Sequence, residues 1–359
     1  MAFNQLPLAP LGAGDLIDRS VRLYRRHFVT LLRMAAPPVL VSSVGSVLWA
    51  LGVRESTRTT SDTELAAYFF VAGIGLLLSI GSNLLFLIVM GGAARNLVAH
   101  LLWAEPVSVR STYRNVRARF WALLAATVLA TIFAAVSAGV ALVAWIMVFW
   151  VAAMIVGLAA IYTPAWLAAM LGVTITIASV LGGLWLFFFL VGRVAYVPQV
   201  LLVEGKGVMA SLSRSAALAQ GNARRLAALA FFSLFATYAA LALLAVPLGW
   251  YAYVNGIDLL PFMGANHPLW YEISYNALTQ ASTMLLAPVL IIGLSLLYID
   301  ERVRREAYDV ELMAMNRLGP MPVLKGNYRV PFAPALVADP AERVDLPPAP
   351  PAGSILGLR

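Results

Sequence analysis

Cysteine is absent from the 359 residues. That excludes disulfides, cysteine metal sites and thiol catalysis, and leaves the compartment open. Charge is nearly as scarce. Charged residues make up 12% of the chain against 61% hydrophobic, with a mean hydropathy of +0.84. A soluble domain is nearer half apolar and a quarter charged, so this balance excludes an ordinary soluble fold and points to a membrane protein. Lysine is almost missing, since 23 of the 25 basic residues are arginine. The net charge of +8 lies in short clusters between apolar runs, not on one exposed face. That distribution argues against a nucleic-acid partner and for signals that orient membrane spans.

Reactive motifs are lacking as well. No HExxH, GxSxG, glycine-rich nucleotide loop or paired intramembrane carboxylate occurs. The three histidines, His27, His100 and His267, fall in different loops or boundaries, two on one side of the proposed bilayer and one on the other. They are not expected to form one metal site. No catalytic residue, cofactor or metal ligand is expected, and the chain reads as a non-enzyme. Residues 1–27 carry Asp15, Asp18 and four arginines without an apolar core, so the first span is expected to serve as its own uncleaved insertion signal.

What is present is apolar length. A helix needs roughly 20 apolar residues to cross the hydrocarbon core. Five clear segments lie at about 28–53, 66–90, 120–192, 226–254 and 277–298. The third contains no Asp, Glu, Lys, Arg or His over 73 residues. As one helix it would be about 110 Å long, so it must fold back on itself. Arginine decides how often. Arg110, Arg114, Arg117 and Arg119 precede it, and Arg193, Lys206, Arg214, Arg224 and Arg225 follow. Both flanks belong on the cytoplasmic side, so an even number of crossings separates them. Two crossings, about 120–145 and 165–192, fit best, with the turn at Tyr162-Thr163-Pro164 and an additional surface or re-entrant piece between them.

The expected fold is therefore all-α: a polytopic bundle over 28–299 with six spans and both termini in the cytoplasm. It is preceded by a cytoplasmic amphipathic segment (1–27) and followed by a charged, solvated helix (300–318). A disordered tail (319–359) holds nine of the chain's 20 prolines. On this topology 22 of the 25 basic residues lie inside, Arg54 and Arg58 lie outside, and Arg33 sits in the first span near its inner end. From there Arg33 is expected to snorkel to the headgroups.

Each span pair is preceded by a related basic stretch containing an Arg-Ser pair: Arg19-Ser20, Arg110-Ser111 and Arg214-Ser215. These stretches read as amphipathic helices on the inner surface, with arginines toward anionic headgroups. Arg19, Arg22, Arg25, Arg26, Arg114, Arg117, Arg214, Arg224 and Arg225 are the candidate contacts for lipid headgroups or a partner. Asn83 and Gln280 are the candidate polar site within the membrane. Small residues such as Gly75 and Ser79 are expected to let helices approach closely. Pro37, Pro38, Pro247 and Pro288 are expected to kink or end helices.

Three motifs in order carry a family resemblance. They are Leu11-Gly12-Ala13-Gly14-Asp15-Leu16-Ile17-Asp18-Arg19 followed by Leu23-Tyr24-Arg25-Arg26-His27-Phe28; Tyr196-Val197-Pro198 with Val203-Glu204-Gly205-Lys206-Gly207-Val208 and Leu212-Ser213-Arg214-Ser215; and Leu297-Tyr298-Ile299-Asp300-Glu301-Arg302-Val303-Arg304-Arg305-Glu306 with Asp309-Val310-Glu311-Leu312. Together they resemble the membrane domain associated with glycerophosphoryl diester phosphodiesterases, a family of bacterial polytopic proteins. The resemblance implies a bacterial inner-membrane protein. No phosphodiesterase domain follows the membrane part, so the resemblance implies no such activity here. The expected function is a scaffold or accessory subunit that contacts membrane lipids, and a protein partner through the inner helices and tail. The alternative is a transporter or channel for a lipid-like or apolar solute.

Overall fold

The computed structural model describes residues 12–103, 105–257 and 268–307. The expected tail and the part of the charged helix beyond residue 307 lie outside the described residues. Those residues form ten α-helices and one 3₁₀ turn, with no strand among them. Three long hairpins make up the body. They are α2 (Phe28–Ser56) with α3 (Asp62–Trp103), α5 (Phe120–Tyr162) with α6 (Ala165–Val191), and α9 (Ala223–Val254) with α10 (Leu269–Glu306). Six helices are long and apolar enough to cross a membrane. Phe70, Leu77, Trp121, Phe235 and Leu243 are among many large apolar side chains on the outside, as lipid-facing surfaces require.

A short helix stands before each hairpin: α1 (Ala13–Arg26), α4 (Val109–Ala118) and α8 (Val208–Leu218). Each gives way to its long helix through a break. His27 (φ −113°, ψ 20°), Arg119 (φ −131°, ψ 30°) and Asn222 (φ −103°, ψ 3°) hold nearly the same non-helical conformation. Ser20, Thr112 and Ser215 each stand seven residues ahead of that break, and all three are fully buried. The chain thus contains three structural repeats. Their register is set by a small hydroxyl residue rather than by the Arg-Ser pair, which is shifted by one position in the second repeat.

The short helices do not lie free on a surface. Each packs on the returning helix of the preceding hairpin: α4 on α3, α8 on α7 (Val197–Val203, the continuation of α6 beyond the 3₁₀ turn at Gly192–Val194), and α1 on α10. Contacts of α3 with α5, α6 with α9 and α10 with α2 close the ring. The base of the bundle, where the short helices sit, is therefore one interlocked layer, with an apolar cluster of Ile88, Val116, Leu123, Val197 and Leu201 beside its polar contacts.

Several expectations are corrected. Phe120–Tyr162 is one continuous helix of 43 residues, about 64 Å long, with no separate re-entrant piece. Nothing in that stretch ends a helix before Thr163-Pro164, so backbone hydrogen bonding carries it through. Its buried residues stop at Ala141, so its far half meets only α6 and the surroundings. Of the two outcomes expected of the prolines, a kink or an end, ending a helix does not occur. α2 runs through Pro37-Pro38, α9 through Pro247 and α10 through Pro288. Asp300, Glu301 and Arg302 belong to the last turns of α10 and are buried, not solvated. The two arginines at the far end are both paired. Arg54 lies 3.4 Å from Glu272, and Arg58 lies 3.5 Å from Glu55.

Candidate functional site

The base layer is held by polar seams, one at each repeat boundary. Between α3 and α4, Asn96 Nδ2 donates to Thr112 Oγ1 at 2.6 Å and Ser111 Oγ at 2.8 Å, while Asn115 Nδ2 donates to Asn96 Oδ1 at 3.0 Å. Tyr113 donates its hydroxyl to the Met34 carbonyl at 3.1 Å. α4 comes this close because a Cβ on Gly92 would fall 2.4 Å from Val116 Cγ2. Between the second and third repeats, Ser215 Oγ accepts from the Tyr196 amide at 3.1 Å, and Asn222 Nδ2 donates to the Tyr196 hydroxyl at 2.6 Å. Between the third and first, the Tyr24 hydroxyl donates to the Leu285 carbonyl, and burial pushes its pKa up to about 12. Thr112, Ser215, Tyr196 and Asn222 are buried. Apart from Asn222 Oδ1, which has no partner among the described residues, the seam's hydroxyl and amide groups engage one another or backbone carbonyls, which favours one arrangement over its competitors.

A charged cluster closes the third repeat. Arg225 of α9 reaches both Asp300 and Glu301, which Arg304 and Arg305 also engage at 2.8 Å and 2.9 Å. Glu204, at the end of α7, accepts from Lys206 Nζ at 2.8 Å, Tyr298 Oη at 3.0 Å and Arg214 Nε at 3.3 Å, and Arg214 also pairs with Glu306. Burial of Glu204 raises its pKa, but the Lys206 hydrogen bond and the charges of Arg214 and Lys206, with the Tyr298 hydroxyl, outweigh it and hold the carboxyl below its ordinary value.

The sign of the pH effect follows. A carboxyl with a depressed folded-state pKa stabilises above its unfolded value of about 4.5, and that stability is lost as pH falls through the folded value. Glu204→Gln is expected to lower stability by about 2 kcal/mol at pH 7, the scale of hydrogen bonds to a charged group. The gap to the unaltered protein should close as pH falls below about 4.5 and through the depressed folded value, as the native carboxyl protonates too. Unfolding in detergent across this range checks it, and a gap independent of pH would contradict the assignment.

The arginines predicted to meet headgroups or a partner divide into two groups. Arg22, Arg25, Arg26, Arg114, Arg117 and Arg224 are exposed, and Arg19 is half-buried. Arg22 pairs with Asp18. Arg214 and Arg225 instead spend their charge on internal carboxylates. The proposed intramembrane polar pair does not assemble as one bonded unit. Asn83 is exposed and donates to the Ser79 carbonyl of its own helix, while Gln280 donates to Ser42 Oγ at 3.3 Å. The structure brings together two histidines that the sequence only placed on the same side. His27 Nε2 and His100 Nε2 lie 3.2 Å apart. Burial, with His100 and Arg26 alongside, lowers the pKa of His27. His267 lies outside the described residues. Among the described residues no group of three or more His, Asp or Glu side chains gathers as a metal site.

Sequence reasoning missed Asn96, Thr112, Asn115, Glu204, Tyr196 and Asn222. The constant seven-residue spacing from a hydroxyl residue to the break was the available signal for Thr112 and Asn222, and Tyr196 and Glu204 stand in the second quoted motif without a role assigned to them.

These features define a class: a multi-pass helical membrane protein of three hairpin repeats sharing an interlocked base. No family model, curated protein or solved structure matches the chain.

Proposed function

We propose that this chain is a non-catalytic scaffold or accessory subunit of the bacterial inner membrane, its base facing the cytoplasm and holding anionic lipid headgroups and a protein partner. One observation carries the reading. Arg25 and Arg26 of α1, and Arg110, Arg114 and Arg117 of α4, are exposed at the base with no carboxylate partner among the described residues. Unpaired guanidinium groups beside apolar spans suit phosphate. The crowding of arginine on one face supports the cytoplasmic orientation. The resemblance read from the three quoted motifs is what suggests the bacterial inner membrane. The carrier alternative loses its named polar site, since Asn83 points outward and Gln280 is bonded to Ser42.

The test changes Arg25, Arg26, Arg114 and Arg117 to glutamine, separately from a deletion of residues 319–359. Native mass spectrometry of the purified protein is expected to lose bound anionic lipid in the quadruple variant, and partner co-purification is expected to fall in the deletion. Lipid and partner retention unchanged by both alterations refutes the reading.

A further inference from the structure

We propose that His27 and His100 form a two-histidine site for a divalent transition-metal ion that clasps the α1–α2 break to the end of α3. The two Nε2 atoms lie 3.2 Å apart with the rings nearly perpendicular, at 80°. A tetrahedral ion with metal–nitrogen bonds of 2.0–2.1 Å places neighbouring nitrogens about 3.3–3.4 Å apart, so a small closure or opening of side-chain torsions admits the ion.

The second atom of one ring fixes the chemistry. His100 Nδ1 lies 2.7 Å from the Glu105 carbonyl oxygen. A carbonyl oxygen only accepts, so Nδ1 carries the proton, and the neutral His100 ring offers a lone pair at Nε2. A ring N–H held by a backbone carbonyl is the usual support of a metal-binding histidine, since it sets both tautomer and orientation. His27 needs only the same tautomer, with its proton on Nδ1, to present a second lone pair at the same point. Without an ion, one ring must donate to the other. With an ion, both Nε2 atoms coordinate and no proton is lost from either neutral ring.

Both histidines are half-buried, so water can fill the remaining positions. Imidazole pairs suit zinc, cobalt, nickel or copper rather than calcium or magnesium. Arg26 stands beside His27 and opposes a cation, so the ion is expected to exchange readily rather than to be held permanently. The location gives the clasp a consequence. The equivalent break residues use fixed bonds: Arg119 Nη1 donates to the Leu201 carbonyl at 3.2 Å, and Asn222 to the Tyr196 hydroxyl. Only the first repeat closes through a pair able to take an ion.

Untagged full-length protein in detergent is titrated with Co²⁺. One ion per chain is expected, with the visible absorption of four-coordinate cobalt. Affinity should fall at least ~tenfold in both His27→Gln and His100→Gln, the scale seen when support of a metal ligand is removed, and should be unchanged in His267→Gln. Because a glutamine variant can unfold, the unaltered protein carrying Cu²⁺ is also read by electron spin-echo modulation, where two coordinated imidazoles are expected. Absence of saturable Co²⁺ binding, undiminished binding in His100→Gln, or a copper spectrum with one imidazole or none would each overturn the site.

Discussion

Replacing Arg225 with alanine is expected to destabilise the bundle by about 3 kcal/mol, because it strips a shared partner from two buried carboxylates. The side chains of Asp300 and Glu301 are each 3% exposed, and Arg225 reaches both from another helix. Arg304 and Arg305 remain, but each engages one carboxylate from within α10. Pairs formed within one helix neutralise charge but do not themselves tie α10 to α9. A lysine at position 225 keeps the charge and loses the fork that spans two acceptors, so Arg225→Lys should fall between the alanine variant and the unaltered protein.

The origin of the loss can be isolated. If it arises from an under-compensated buried charge, Glu301→Gln in the Arg225→Ala background should recover part of it, although Glu301→Gln alone destabilises. Denaturant or thermal unfolding of the four proteins in one detergent supplies the cycle. Additive losses would mean that Arg225 acts through packing of its stem, not through its charge.

The same cluster shows where the sequence was legible and where it was not. The hydrophobic lengths and the position of Thr163-Pro164 determine six helices, because crossing a bilayer imposes a length and an uncharged composition that few other folds need. The stretch from Asp300 reads from its i to i+4 charge pairs as a wet helix, and Glu301 with Arg305 and Arg302 with Glu306 do pair, while Asp309, the expected partner of Arg305, lies outside the described residues. Its first residues meet Arg225 arriving from α9 and its last, Glu306, meets Arg214 from α8, which spacing within one helix does not encode. Arg-Ser pairs suggested repetition but misplaced its register. The conserved geometry belongs to Ser20, Thr112 and Ser215, whose hydroxyls face inward, whereas the arginines face out or into ion pairs. Asn83 read as an interior polar group because its neighbours are apolar. On a helix facing lipid, Asn83 satisfies itself against the Ser79 carbonyl, which sequence alone does not distinguish from a buried bond. His27 and His100 met for a purely topological reason: α3 returns to the level of the break that begins α2.

The approach of α2 to α3 yields the second large expected effect. Gly75 has no room for even a methyl group, since a Cβ there would fall 2.3 Å from the Trp49 nitrogen and 2.7 Å from the Gly45 carbonyl oxygen. Both atoms are helix backbone and cannot rotate aside. Gly45 and Gly52 face the same seam, with their own Cβ positions 2.7 Å from the Ser79 nitrogen and 2.5 Å from the Ala72 nitrogen. Without a hydrophobic drive inside lipid, such backbone-to-backbone packing is what holds two spans together. Gly75→Ala is therefore expected to push the helices apart and cost about 1–3 kcal/mol, and Gly75→Leu to exceed that. Gly73, two residues earlier on α3, has nothing within 4 Å of its Cβ position and serves as the internal control. There alanine removes only glycine's excess backbone freedom, so Gly73→Ala should be neutral or stabilising by up to about 1 kcal/mol. Thermal unfolding of the two variants side by side separates contact from propensity, because both make the same chemical change on the same helix. Equal melting of Gly73→Ala and Gly75→Ala would mean that the glycine seam does not hold the first hairpin.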